Sequence, residues 1–223
     1  MHQNGRHVQA VVLLHYRGRG GKIKRSIFIN IRFDTKKRRK GSSGTAAGTY
    51  RQEQKMEFTL ETWKKEHIPS VAKYADNEKI AGRLRDSFPY PYTEDDAEWF
   101  VQDCMEKEGI TQLARAIIVN GEAVGSITVM LNDDVYCKSA ELGYWLGEPF
   151  WRKGIMTKAV QLMCEEAFRR YKLVRIYAEP FSTNLASRGV LEKAGFELEG
   201  IKRKSIFKNG CIQDSYLYAV IHV

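Results

Sequence analysis

The sequence predicts an α/β domain of three layers, built on a mixed, mostly antiparallel sheet of six to seven strands and preceded by a basic extension. Three observations predict it. Asn120-Gly121 and Asn209-Gly210 each separate two extended apolar runs, the pattern of a tight β-hairpin. Residues 141–146 alternate, with Glu141, Gly143 and Trp145 on one face and Leu142, Tyr144 and Leu146 on the other; from Ile155 the apolar spacing becomes helical. That helix, 154–170, is followed by another extended run at 173–178, and a crossover of this length makes the strands it joins parallel.

The elements follow in order from Met56. Residues 57–62 suit a first strand, and 67–80 a helix begun at Pro69 that faces inward with Ile68, Val71, Ala72 and Ala75. A loop carries Phe88-Pro-Tyr90-Pro-Tyr92, after which Thr93 and Asp96 form a capping box for a second helix. Residues 114–119 and 123–131 flank Asn120-Gly121, and a turn at 132–134 leads to a strand ending at Gly147. After the helix 154–170 and the strand 173–178, a second crossover helix at 184–194 has Asn184 as N-cap and Gly195 beyond its end, and 197–207 with 212–221 close the chain as a hairpin. Such a sheet places its ligand crevice at the carboxyl ends of the two parallel strands.

Composition bounds the function. The chain has 223 residues, of which 43% are hydrophobic, enough for one domain with a real core plus an extension. No apolar run approaches the ~18 residues of a membrane span, so no membrane association is expected. The four cysteines and five histidines never take a metal-binding or redox spacing, which predicts no metal site and reduced thiols in a cytoplasmic protein. The net charge of +9 is unevenly spread: residues 1–55 hold fourteen Lys/Arg against two Asp/Glu, a balance of +12. With Lys36-Lys-Arg-Arg-Lys40 and the linker-like stretch 41–48, this extension is expected to be poorly ordered. It reads as a solvated tail or an upstream addition to the domain, as an arm contacting RNA or the ribosome, or as a targeting segment.

The chemistry centres on 147–157, where the strand turns into the helix through Phe150-Trp151-Arg152-Lys153-Gly154. The first turn of a helix presents unpartnered N–H groups and a partial positive charge, so Arg152, Lys153 and Lys158 have the wrong sign there unless an anion sits among them. A phosphate or pyrophosphate suits such a turn, and Gly154 permits close backbone approach; the alternative is that these long side chains are simply solvated.

Residues 151–156, Trp-Arg-Lys-Gly-Ile-Met, resemble the pyrophosphate loop of the GNAT N-acetyltransferases, whose pattern is Gln/Arg-x-x-Gly-x-Gly/Ala. Trp151 and Met156 depart from it, but 143–160 is similar in wording to the RimJ/RimL ribosomal-protein acetyltransferase subgroup, as is Asn184-x-x-Ser187 followed by Leu191-x-Lys193-x-Gly195-Phe196. The resemblance covers 56–223 and implies a GNAT fold, its sheet splayed between the two central parallel strands. It also implies transfer of acetyl from acetyl-CoA to a primary amine in a ternary complex, by a monomer or homodimer. The pantetheine would lie along the backbone of Tyr144, Trp145 and Leu146 and meet Asn184, and Arg152, Lys153, Gly154, Ile155, Met156 and Thr157 would hold the pyrophosphate. Glu141 is the candidate general base, or an ordinary charged strand residue. Ser187 is the candidate proton donor, or only a cofactor contact, since Leu191 stands where many members have a tyrosine. Tyr90 and Tyr92 would wall the acceptor site, or merely pack. The acceptor is a protein N-terminus, as for ribosomal proteins, or a small amine; a non-catalytic acyl-CoA- or RNA-binding protein is the alternative of another class.

Overall fold

The computed structural model describes residues 56–222. The expectations for 1–55, poor order and contact with RNA or the ribosome, lie outside the described residues. In chain order the elements are β1 (Thr59–Glu61), α1 (Ile68–Ala75), α2 (Glu78–Ala81), α3 (Glu94–Lys107), β2 (Gln112–Val119), β3 (Glu122–Leu131), β4 (Ser139–Leu146), α4 (Ile155–Tyr171), β5 (Arg175–Ala178), α5 (Leu185–Lys193), β6 (Glu197–Lys208) and β7 (Cys211–Ile221). The strands form one sheet in the order β1-β2-β3-β4-β5-β7-β6. Every neighbouring pair is antiparallel except β4 and β5, so the predicted mixed sheet has seven strands.

Apolar residues cover both faces. Along β2, Leu113, Ile117 and Val119 join the cluster formed with α4 and Leu191 of α5, while Ala114, Ala116 and Ile118 join the cluster formed with Val71 and Ala75 of α1 and Ala97 and Val101 of α3. A strand buried on both sides has no polar alternation, which is why β2 is buried at every position. The two Asn-Gly turns form as expected, with left-handed φ at both positions (51° and 82° at 120–121; 49° and 75° at 209–210), the backbone that suits a two-residue hairpin.

The long first helix expected at 67–80 is instead two. Asp76 leaves helical geometry at ψ 76°, and Asn77 restarts the chain as the N-cap of α2, its Oδ1 accepting from the Lys79 N–H at 2.9 Å. Short polar side chains of this kind compete with the helix for backbone groups. Asp76 uses its Oδ1 to accept the Tyr92 N–H at 3.0 Å, fixing the loop 82–92 to the end of α1. The capping box at Thr93 is present: its Oγ1 accepts from Asp96 N–H and the Asp96 carboxylate accepts from Thr93 N–H. The strands expected at 57–62 and 173–178 are shorter than their apolar runs, because β1 pairs with β2 over three residues and β5 begins only after the left-handed Lys172 that ends α4.

Candidate active site

β4 and β5 pair for only three rungs, Ser139 with Arg175, Ala140 with Ile176 and Glu141 with Tyr177. Beyond Glu141, β4 continues to Leu146 against β3 alone, and the sheet forks. Strand parity decides which backbone groups open onto this notch. Ser139 O and Gly147 N bond toward β3, whereas Lys138 O bonds toward β5, so odd-numbered residues of β4 serve β3 and even-numbered residues face the fork. Tyr144 and Leu146 therefore turn their polar backbone groups to the notch. Trp145 does not: it is paired with Ser126 of β3, which corrects the expectation that its backbone faces a ligand. The Leu146 carbonyl is already engaged, accepting the Trp151 indole N–H at 2.6 Å. That bond gives Trp151 a role the loop pattern did not suggest, folding the turn back onto the end of β4.

From Trp151 the chain enters α4 through two left-handed residues, Arg152 at φ 60° and Gly154 at φ 73°. Gly154 is the N-cap; it has no side chain to cap with, and a Cβ there would meet nothing within 4 Å. The first turn carries no acidic residue. Hence the amides of residues 155–157 lie at an uncapped, open helix end flanked by Arg152, Lys153 and Lys158, the arrangement expected of an anion cradle. The side chains of Ile155 and Met156 are buried in the core, which leaves only their backbone to face an anion at that turn. Lys153 lies over the Phe150 ring at 5.6 Å and Arg83 over the Trp151 ring at 5.5 Å.

On the α5 side of the fork, Ser187 Oγ is 2.8 Å from Tyr144 Oη, which also donates to Ser187 O at 3.3 Å. Asn184 caps α5, its Oδ1 accepting the Ser187 N–H at 3.1 Å. This bond leaves the Asn184 amide nitrogen as the group available to a ligand. Tyr144 is partly buried against the core, and burial pushes its hydroxyl pKa above the ordinary value; it is a neutral hydrogen-bonding partner that holds Ser187. No feature of the sequence marks this pairing, because 43 residues separate the two side chains.

Glu141 lies on the opposite face, the one Trp145 shares, at the last rung before the strands part. Its Oε1 is ion-paired with Arg85 Nη2 from the loop 82–92. Tyr177 stands beside it on β5, and burial, then the Glu141 charge, raises its hydroxyl pKa. Glu141 and Ser187 thus meet the aperture from opposite sides of the sheet. Of the two loop tyrosines, Tyr90 is 53% exposed, whereas Tyr92 is buried, packed on Phe88 at 4.9 Å with its hydroxyl donating to Asp96 O at 3.4 Å. Tyr92 is a packing residue, which corrects its assignment to the acceptor wall. Arg85 went unmarked in the sequence, being one of two arginines in the loop 82–92 with no pattern to single it out. Among the described residues there is no group of three or more His, Cys, Asp or Glu able to hold a metal, and no helix is long and apolar enough to cross a membrane.

Residues 57–197 match the model of the acetyltransferase (GNAT) domain, well over half of the chain. The chain belongs to the GNAT acetyltransferase family. It is 45% identical over 85 residues to the probable N-acetyltransferase YjcK of Bacillus subtilis, covering 38% of this chain and 47% of that protein. It is 34% identical over 84 residues to the ribosomal-protein-serine acetyltransferase of Escherichia coli, covering 38% and 47% respectively. The chain spans about half the length of the curated relatives it matches. Among solved structures, Mycobacterium smegmatis RimJ in complex with CoA-disulfide superposes with a TM-score of 0.68 at 21% identity, over 75% of this GNAT chain and 83% of RimJ. That likeness bears on the fold.

Proposed function

We propose that this GNAT chain is an acetyl-CoA-dependent N-acetyltransferase acting on a primary amine in a ternary complex, with a protein N-terminus of the ribosomal-protein kind as acceptor, in the cytoplasm. The observation that carries the proposal is the fork itself: an uncapped, cation-flanked helix end and unpaired strand backbone on the cofactor side, with Glu141 at the last rung and Ser187 across the aperture. The name of the E. coli relative, a ribosomal-protein-serine acetyltransferase, supports the choice of acceptor.

Acetyl-CoA would supply the activated acyl group. The residues fit it: the amides of 155–157 with Arg152, Lys153 and Lys158 would bind its pyrophosphate, the backbone of Tyr144 and the N–H of Leu146 would pair with its pantetheine amides, and Asn184 would donate to the same arm. The amine nitrogen forms a bond to the acyl carbon as the carbon–sulfur bond breaks. Glu141 takes one proton from the ammonium, so that the neutral amine attacks; the second nitrogen proton passes to solvent as the amide forms, and Ser187, oriented by Tyr144, donates to the departing thiolate and regains its proton from solvent. Backbone N–H groups of the splayed strand polarise the acyl carbonyl.

The test is to titrate the purified chain with CoA, then incubate it with acetyl-CoA and a panel of N-terminal peptides and small amines, following free thiol and acetylated product. Saturable CoA binding with turnover on the peptides is expected. Turnover confined to small amines would move the acceptor assignment, and absence of CoA affinity would end the proposal.

A further inference from the structure

Arg85 is placed unusually for a surface arginine. Its side chain is 64% exposed, yet it ends on Glu141, at the last rung before the fork, whose side chain is 19% exposed. The backbone beneath it is held firmly. Arg85 O accepts the Phe88 N–H at 3.0 Å, the neighbouring Asp86 is ion-paired with Lys208 of β6 at 2.7 Å, and Phe88 packs on Trp145 at 6.0 Å. A long cationic side chain therefore reaches from an anchored loop, through solvent, to Glu141, and nothing but that single ion pair holds its tip.

The acceptor must bring its own cation to the same carboxylate, because an amine at neutral pH arrives as an ammonium. The ammonium competes for the oxygen that the solvent-exposed Arg85 tip holds by one contact, and where it takes that oxygen the guanidinium is released beside the acceptor. We infer that Arg85 is a specificity-determining residue: it holds the place of the acceptor's ammonium on Glu141 and, once displaced, pairs with an acidic side chain next to the acceptor's N-terminal residue. The inference rests on the proposed function and adds to it the class of N-terminus preferred, one followed by Asp or Glu. The partner is a carboxylate because a guanidinium matches its two oxygens. The released pair stays partly solvated, which limits the preference to about three- to fivefold, the scale of exposed ion pairs.

The experiment measures kcat and KM for two peptides identical except for Glu or Gln at the second residue, using the full chain and its Arg85→Gln and Arg85→Lys variants. The full chain favours the Glu peptide about three- to fivefold, through KM rather than kcat. Arg85→Gln abolishes the preference and lowers KM for the Gln peptide, since the competitor for Glu141 is gone, and Arg85→Lys restores part of the preference. A merely structural arginine would alter both peptides alike. As a check needing no variant, the preference of the full chain shrinks as salt is raised from about 0.05 to 0.5 M. Equal use of the two peptides by the full chain, or a preference that survives Arg85→Gln, overturns the inference. Turnover of neither peptide by a chain that binds CoA refutes the peptide acceptor and this inference with it.

Discussion

Replacing Glu141 with Gln keeps the shape of the side chain and removes its charge, which separates catalysis from stability. The structural loss is small: the pair with Arg85 has one largely exposed partner, so its removal costs at most about 1 kcal/mol. The catalytic loss is larger. A positioned general base contributes about 100- to 10,000-fold, which at ~1.36 kcal/mol per decade is ~2.7–5.4 kcal/mol of barrier. The expected result is a fall in kcat of at least about 100-fold at pH 7, with urea denaturation nearly unchanged and KM for acetyl-CoA preserved, because Glu141 lies across the sheet from the α4 turn. The deficit should also narrow with rising pH, since the acceptor then sheds its own proton, with an α-amino pKa of ~8. Free CoA thiol, followed with a chromogenic disulfide between pH 6.5 and about 9, reads both effects. A variant with near-native kcat at pH 7, or a deficit that does not change with pH, would refute the assignment of Glu141 as base.

The fold offers two further tests. A Cβ on Gly125 would lie 2.6 Å from the Trp145 carbonyl oxygen and 3.0 Å from Leu146 Cδ1, so Gly125→Ala must push β3 from the end of β4; we expect a loss of about 1–3 kcal/mol, a lower Tm in a thermal melt, and weaker CoA binding as the notch moves. His67 is buried, and its Nδ1 accepts the Lys64 N–H at 3.3 Å, so the fold uses the neutral ring; burial, and then the Lys64 charge, lowers its pKa below the usual value. Its contribution to stability is complete above the unfolded pKa of ~6.5 and is lost as pH falls below it. Urea melts at pH 7.5 and about 5.5 should show a decline that His67→Gln reduces.

Much of this architecture was legible because its signals are local. Asn-Gly at 120–121 and 209–210 dictates hairpins through two consecutive left-handed residues, Thr93 with Asp96 caps a helix within one turn, and the alternation at 141–146 assigns faces that the two core clusters reproduce. The helix 67–80 was misjudged at Asp76-Asn77 because the deciding bond, Asp76 to Tyr92 N–H, spans sixteen residues. Tyr92 was misplaced for a related reason: a tyrosine in a Pro-rich loop looks exposed until Phe88, itself packed on Trp145, lies against it.

By itself the sequence determined the order of elements, the parallel crossover and the basic turn at the start of α4, since each follows from periodicity, turn chemistry or helix-end electrostatics over a few residues. Only the tertiary structure decided where β4 and β5 part, that Glu141 and Ser187 approach from opposite faces, and which partners, Arg85 and Tyr144, hold them. Those facts depend on strand register and on contacts between residues 43 and 56 positions apart, and no short-range pattern encodes such distances.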